Sequence, residues 1–237
     1  MSFWTELQRN TSTRGATPLI TWLSDLGRIE LSTVTFANAV SKASNFLIDG
    51  LELEEDGSIA VNLGNHWQSP VWLGTGLASG ISITDHDPAF TFGIKSQAQS
   101  WNGSPEEFVV VSQDPFGMPD KDLPNGFING SVEVRNFGDY FSPAWPQDSN
   151  AISAALNGTE LTWDQLVTHS TQISSEHRIA TGQSYGLSGT SDLLTMLTLQ
   201  VVLPVVNGNS VVLIEQTNPD FDAIKKQEKL EQIVLLS

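Results

Sequence analysis

Gly182-Gln183-Ser184-Tyr185-Gly186 has the G-x-S-x-G spacing of a nucleophile elbow, in which two glycines let a serine sit on a tight strand-to-helix turn with its hydroxyl exposed. Hydrolysis at such a serine needs an acid and then a histidine later in the chain. The four histidines, His66, His86, His169 and His177, all precede Ser184. Gly186 and Gly189 also interrupt the helix that should begin at the nucleophile. The spacing therefore predicts a Gly- and Ser-rich connection where chain segments approach closely. No catalytic residue is assigned.

Other patterns with chemical potential weaken in the same way. Gly74-Thr75-Gly76-Leu77-Ala78-Ser79-Gly80 approximates a dinucleotide loop, but its third glycine is one residue late and it closes a predicted helix instead of opening one. A pyrophosphate needs the helix N-terminus, so close helix packing and a C-cap at Gly80 are expected. Asp85-His86-Asp87-Pro88 offers three metal-ligand types, yet consecutive residues rarely converge on one ion and no further His or Cys stands at metal spacing. These are expected to be turn residues, and no metal or other cofactor is assigned. His66 is placed at a helix start and His177 at a strand start, both as structural histidines. The carboxylates, Asp139 and Asp148 among them, are too numerous for any pair to stand out as general acid and base.

Composition narrows the function classes. Lys and Arg number 11 against 27 Asp and Glu, a net charge of −16. Such a chain cannot neutralise a row of phosphates, which excludes nucleic acid as a partner, and it is repelled by an anionic membrane surface. The seven tryptophans lie in no basic context and read as core or interface residues. There are no cysteines, hence no disulfide, thiolate metal site or thiol catalysis. Met1 to Glu6 lacks the basic-then-apolar pattern of a signal peptide. The most apolar run, Leu193 to Val206, holds Gln200 and Pro204 and falls short of the ~20 apolar residues that span a bilayer. A cytoplasmic location is expected.

The elements that must position any site repeat along the chain. Thr17 to Ser24 and Arg28 to Leu31 read as strands. Ser32 caps a helix with Phe36, Val40, Ala43 and Leu47 at helical spacing. Ser58 to Leu63 is a buried strand, Asn65 caps an apolar helix that Gly80 ends, and Ile81 to Thr84 is the next strand. After short strands at Ala89–Ile94, Phe108–Ser112 and Ser131–Val134, the pattern returns. Glu160-Leu161-Thr162 opens a helix through Trp163, Leu166, Val167, Ser170 and Ile173. Arg178 to Thr181 is a strand, Ser191 to Val206 a buried helix, and Val211 to Ile214 a strand. Asn218-Pro219-Asp220 starts one more helix, and Ile233 to Leu236 is a last strand. The expected fold is α/β, with two similar βα subdomains whose mostly parallel sheets are flanked by helices. The first spans residues 1–140, with a loop-rich stretch at about 88–136, and the second spans 141–237.

These paired units resemble the N-terminal region of the adenylate-forming, AMP-binding acyl-CoA and acyl-acid ligases. The resemblance rests on Arg28-Ile29-Glu30-Leu31-Ser32, on the order Ser58–Leu63, Asn65–Gly80 and Ile81–Ile83, and on Ser184-Tyr185-Gly186-Leu187 followed by Leu193–Val206, Asn207-Gly208 and Val211–Ile214. Val132-Glu133-Val134-Arg135, Gly138-Asp139 and Phe141-Ser142-Pro143 are similar to a group of short actinobacterial proteins of unknown function related to those ligases. The resemblance implies a Gly-rich phosphate loop ending in Pro-Lys-Gly just before the helix near Thr162. That place reads Ser149 to Thr159, with one glycine and no lysine, and no lysine occurs between Lys121 and Lys225. Ser188-Gly189-Thr190 echoes the loop but follows that helix. The family's adenine pocket, ribose-binding aspartate and mobile C-terminal domain would lie beyond Leu236. Adenylation by this chain alone is therefore not expected. The expectation is a non-catalytic relative with a pocket formed partly by the Gly182–Thr190 loop (Gly182, Ser184, Tyr185, Gly186, Ser188, Gly189), holding a small acyl-type ligand. The alternatives are a structural module acting as a homodimer or with a protein partner, and a divergent ligase or hydrolase.

Overall fold

The computed structural model describes residues 1–146, 148 and 150–236. Helix α1 (Phe3–Arg14) leads into the hairpin of β1 (Pro18–Ser24) and β2 (Gly27–Ser32), then α2 (Thr33–Asn45), whose end widens into a π turn over Phe46–Gly50. β3 (Ser58–Asn62), α3 (Gln68–Ser79), β4 (Ser82–Thr84), β5 (Phe90–Gly93), α4 (Lys95–Gln99), β6 (Phe108–Val110), β7 (Ile128–Asn129) and α5 (Gly130–Glu133) follow. A second hairpin, β8 (Ile152–Leu156) and β9 (Thr159–Thr162), precedes α6 (Trp163–Glu176) and β10 (Ser184–Ser188). One long helical stretch comes next, α7 (Leu193–Leu197), a π turn (Thr198–Val202) and α8 (Leu203–Asn207). The chain finishes with β11 (Ser210–Ile214), α9 (Phe221–Glu228) and β12 (Gln232–Leu235).

The strands build two sheets, ordered β12-β10-β11-β1-β2 and β7-β6-β5-β3-β4-β8-β9. Every pairing is parallel except β1–β2 and β8–β9. The predicted repeat is present, and its two hairpins match in detail. Ile20 pairs with Leu31 and Thr21 with Glu30, as Ala154 pairs with Leu161 and Ala155 with Glu160. Each hairpin carries a bulge at the same place, between Pro18 and Ile20 and between Ile152 and Ala154. Each delivers the chain to a helix capped by a hydroxyl, Ser32 for α2 and Thr162 for α6.

The sheets do not follow the order of the repeats. The first hairpin joins β11 of the second repeat, and the second hairpin joins β4 of the first. A cut at residue 140 would therefore pass through both sheets.

Alternation explains the layering. Val211 and Leu213 of β11 face the main core between the sheets, while Val212 and Ile214 face the outside, where Ile224 and Leu230 of the α9 region cover them. Val109 of β6 faces the main core, and Phe108 and Val110 face a small cluster with Ala98 of α4. The predicted stripe on α2 is fully enclosed, with Phe36, Val40, Ala43 and Leu47 all in the main core. Each large side chain so buried contributes about 1.5–3 kcal/mol. All of α3 is buried, and it packs so closely that a methyl on Gly76 would meet Ile83 at 3.0 Å. Gly80, with φ of 72°, ends the helix as predicted.

Three local expectations are corrected. Ser131–Val134 is helical, because Gly130 tucks against Val109, where a Cβ would stand 2.6 Å from its Cγ1. Arg178–Thr181 is not a strand. Arg178 takes a left-handed conformation with φ of 55°, and Ile179 N–H turns back to the Ser174 carbonyl as the chain leaves α6. The segment aligned with the missing phosphate loop is the β8–β9 hairpin, turned by Asn157 and Gly158 with φ of 53° and 72°. Ser149, the first residue of that segment, lies outside the described residues.

Candidate functional site

The residues expected to line a pocket form a packed strand instead of a loop. Ser184 to Ser188 make up β10, hydrogen-bonded on both sides to β11 and β12. Ser184 therefore opens a strand, where a nucleophile elbow would place it between strand and helix. Tyr185 is fully buried, and its hydroxyl donates to the Leu199 carbonyl in the π turn. Burial holds that hydroxyl's pKa well above the usual tyrosine value. A methyl on Gly186 would meet Ile233 at 3.0 Å and Leu230 at 3.1 Å. Gly189, with φ of 90°, lets the Leu236 carbonyl come where a Cβ would stand. Gly182 turns the chain at φ of 75° into open space. Gly186 and Gly189 thus permit close approach, while Gly182 serves the turn alone.

Asp85, His86 and Asp87 form the expected turn. His86 Nε2 lies 3.0 Å from Asp87 at an exposed surface, and Asp85 accepts from Asn157 N–H at 2.8 Å. Among the described residues no group of three His, Asp or Glu side chains could hold a metal ion.

The polar chemistry gathers elsewhere, where the carboxyl ends of β1, β3, β6, β10 and β11 meet. Crevices at the carboxyl ends of parallel strands are where ligands bind in α/β folds. Asn65, expected to cap α3, does not; its side-chain amide donates to the carbonyls of Leu187 at 3.0 Å and Ile214 at 3.2 Å. It thereby ties the loop after β3 to the ends of β10 and β11. Its oxygen accepts from Gln200 Nε2 at 3.2 Å. Gln200 sits on the π turn, a helix defect that recurs at functional sites.

Next in the chain, His66 is fully buried. Its ring stands edge-on to Trp22 with centroids 4.7 Å apart, and Trp22 donates to Glu215 at 2.7 Å. Desolvation pushes the His66 pKa down to about 4, although the Gln113 backbone and the Asp114 carboxylate favour its protonated form to a smaller degree. Burial likewise pushes Glu215 up, and the Trp22 hydrogen bond offsets part of that.

This region holds several buried polar atoms without partners among the described residues: His66 Nε2, Trp67 Nε1, Gln113 Nε2 and Gln200 Oε1. Each such group costs about 1–3 kcal/mol if nothing meets it. These residues were missed in the sequence because they belong to no motif. The available signal was position, since Asn65-His66 follows a buried strand directly.

A second feature is a cavity of about 410 Å³ near the amino ends of β3 and β4. Phe3, Trp145 and Trp163 give it aromatic walls, and Glu55, Asp56, Asp148 and Glu160 give it only negative charge. With no lysine, arginine or histidine in its lining, it repels a free acid.

The helix starts near the resemblance's phosphate loop are already filled. At α6, Thr162 accepts from Gln165 N–H at 3.3 Å while Gln165 accepts from Thr162 N–H at 2.8 Å. At α7, the start that follows Ser188-Gly189-Thr190, the Asp192 carboxylate accepts from the amides of Leu194 and Thr195, each at 3.1 Å. Burial opposes its charge, but the bonds from Thr195, Ser191 and Leu194 outweigh it and hold the Asp192 pKa below the usual value.

No family model matches the chain. The search of curated proteins finds a TIGR03089 family protein of Mycobacterium tuberculosis (strain ATCC 25618 / H37Rv), 35% identical over 136 residues. That match spans 53% of this chain and 56% of the relative. Among solved structures, acetoacetyl-CoA synthetase from Streptomyces lividans superposes with a TM-score of 0.75 over 99% of this chain and 42% of its own. The fold is that of part of an acyl-CoA synthetase. At 11% identity the likeness concerns the fold alone, which is the one the sequence resemblance implied. No helix among the described residues is long and apolar enough to cross a membrane.

Proposed function

We propose that the chain is a non-catalytic relative of the acyl-CoA synthetase scaffold that binds a small acyl-type ligand without using ATP. The observation that carries this reading is the filling of both helix starts, at α6 by Thr162 and Gln165 and at α7 by Asp192. A phosphate cradle needs free backbone N–H groups and usually a cation. At α7 a carboxylate occupies them, and an incoming phosphate would face like charge. The sequence supplies no lysine between Lys121 and Lys225 to offset it.

The test uses the full chain in two assays. ATP with magnesium should leave Tm unchanged at micromolar concentration, and ATP–pyrophosphate exchange should stay at background with a panel of short carboxylic acids. A ligand that binds the folded chain at 100 times its Kd adds about 2.7 kcal/mol, so a missing Tm shift is informative. Exchange above background would overturn the reading.

A second reading, an interaction module, is favoured by one strand. β12 pairs with β10 on one side, has no strand on its other side among the described residues, and carries Leu235 at 66% exposure. Such an edge can accept another strand. Light scattering should then report a dimer that Leu235→Lys weakens, whereas a monomer at millimolar concentration counts against it.

A further inference from the structure

No motif of the sequence accounts for the cavity near the amino ends of β3 and β4. Its volume of about 410 Å³ is that of a small-molecule pocket. Two of its aromatic residues are placed by helix caps. Phe3 opens α1 behind the Ser2 cap, and Trp163 opens α6 behind Thr162. Their rings meet edge to face, with centroids 5.7 Å apart and planes at 74°. Both belong to the main core, so packing fixes this corner of the cavity. Trp145, half-buried, adds a third aromatic wall.

Four carboxylates reach the same cavity from three separate segments. Glu55 and Asp56 stand on the turn before β3, where Gly57 N–H closes back on the Glu54 carbonyl at 2.9 Å. Glu160 stands on β9 opposite Ala155 of β8, and both line the cavity, as cross-strand partners share one face. Asp148 lies on the connector before β8. No lysine, arginine or histidine lines the cavity, and among the described residues none of these carboxylates is in an ion pair. The helix starts of α1 and α6 oppose them. Each carries roughly half a positive charge, so about one positive unit stands against four negative ones.

We infer that this cavity is a binding site for a small organic cation, a quaternary ammonium or a protonated alkyl amine. The carboxylates attract the charge, and aromatic walls attract both the charge and the alkyl groups around it. A bare divalent metal ion fits less well, because among the described residues no three acidic side chains converge to hold one. An amine that also carries a phosphate, such as a lipid headgroup, brings an anion that the same carboxylates repel. The site lies at the other end of β3 from Asn65, and it does not rest on the acyl-ligand reading.

The experiment is a titration of the 15N-labelled chain at low ionic strength, reading the indole N–H signals of Trp145 and Trp163. Choline is the probe. Dimethylbutanol, with a quaternary carbon in place of the charged nitrogen, is its neutral counterpart. Choline should shift both signals saturably and bind at least about tenfold tighter than the alcohol, roughly the factor that a cation held by aromatic rings gains. Phosphocholine should bind more weakly than choline. Asp56 and Glu160 are exposed, so the double variant Asp56→Asn, Glu160→Gln keeps the fold. It should weaken choline severalfold and leave the alcohol unchanged. Trp145→Leu should weaken choline as well, and if it does not fold, the carboxylate variant still decides. Signals that stay fixed under choline, shifts reproduced by magnesium alone, equal affinity for the alcohol or for phosphocholine, or choline affinity undiminished in the carboxylate variant would each overturn the inference. ATP–pyrophosphate exchange bears only on the non-catalytic reading, and neither result decides the other.

Discussion

At the scale of single residues, His66 joins stability to pH. Its pKa is about 4 in the folded chain against an ordinary value of 6.5. Between those values the unfolded ring takes a proton and the folded ring does not, so protons favour the unfolded state. The stability His66 permits is complete above pH 6.5 and is lost as pH falls towards 4. By the proton linkage the loss reaches about 3 kcal/mol. Glu215 runs the other way: its raised pKa means the folded chain protonates first on acidification, which returns some stability. Urea unfolding at pH 7, 5.5 and 4.5 should therefore show a fall that is much shallower in His66→Phe and steeper in Glu215→Gln. If His66→Phe kept the parent's pH dependence, the acid sensitivity would have to lie in other groups. His66 was legible in the sequence only as a structural histidine. What gives it chemistry is the company of Trp22, Trp67 and Gln113, residues up to 47 positions away in the chain, and no local pattern reports such company.

Elements were read well where one segment decides its own fate. Ser32 and Thr162 open their helices as caps, and Gly80 and Gly208 end theirs in left-handed conformations, whereas α9 starts two residues later than an Asn218 cap followed by Pro219 would place it, with Asp220 as its cap. These signals act within one turn of chain, and so survive without tertiary information. The errors fall where a neighbour decides. Ser131–Val134 alternates like a strand but turns into helix directly after the edge strand β7, and its Ser131 hydroxyl accepts from Ser112 N–H at 3.0 Å. Asn157-Gly158 is a two-residue hairpin turn between β8 and β9, where the resemblance implied a phosphate loop. Asp192 supplies the prediction at this scale. Asp192→Ala removes the acceptor for two amides and should cost about 1 kcal/mol, as lost N-caps do. Denaturant midpoints measure that loss. The same variant tests the phosphate argument further, since freeing the amides without adding a lysine should still leave Tm indifferent to ATP.

For the whole molecule, the repeat was visible in the sequence while its pairing was not, because strand partners across sheets leave no trace in one chain's periodicity. The two units do not stand side by side as 1–140 and 141–237. Each lends its hairpin to the other's sheet, β1 to β11 and β8 to β4. In a fragment of residues 1–140, the apolar strand β1 would keep β2 but lose β11, and β4 would lose β8. In the remainder, β11 would lose β1 and the β8–β9 hairpin would have no sheet to join. Exposed strand edges and opened cores of that kind leave neither part with enough buried surface to offset its chain entropy. Each fragment alone should therefore give the narrow amide dispersion of an unfolded chain. Mixed at equal concentration they should recover the dispersed spectrum of the intact protein, with a midpoint that depends on concentration because folding has become bimolecular. Asn45, which donates to the Gly138 and Tyr140 carbonyls at 3.0 and 2.9 Å, keeps the end of the first fragment in place at the cut. A dispersed spectrum from either fragment by itself would mean that the exchanged hairpins are decoration on two independent folds, and the account of stability given by the sheet order would fail.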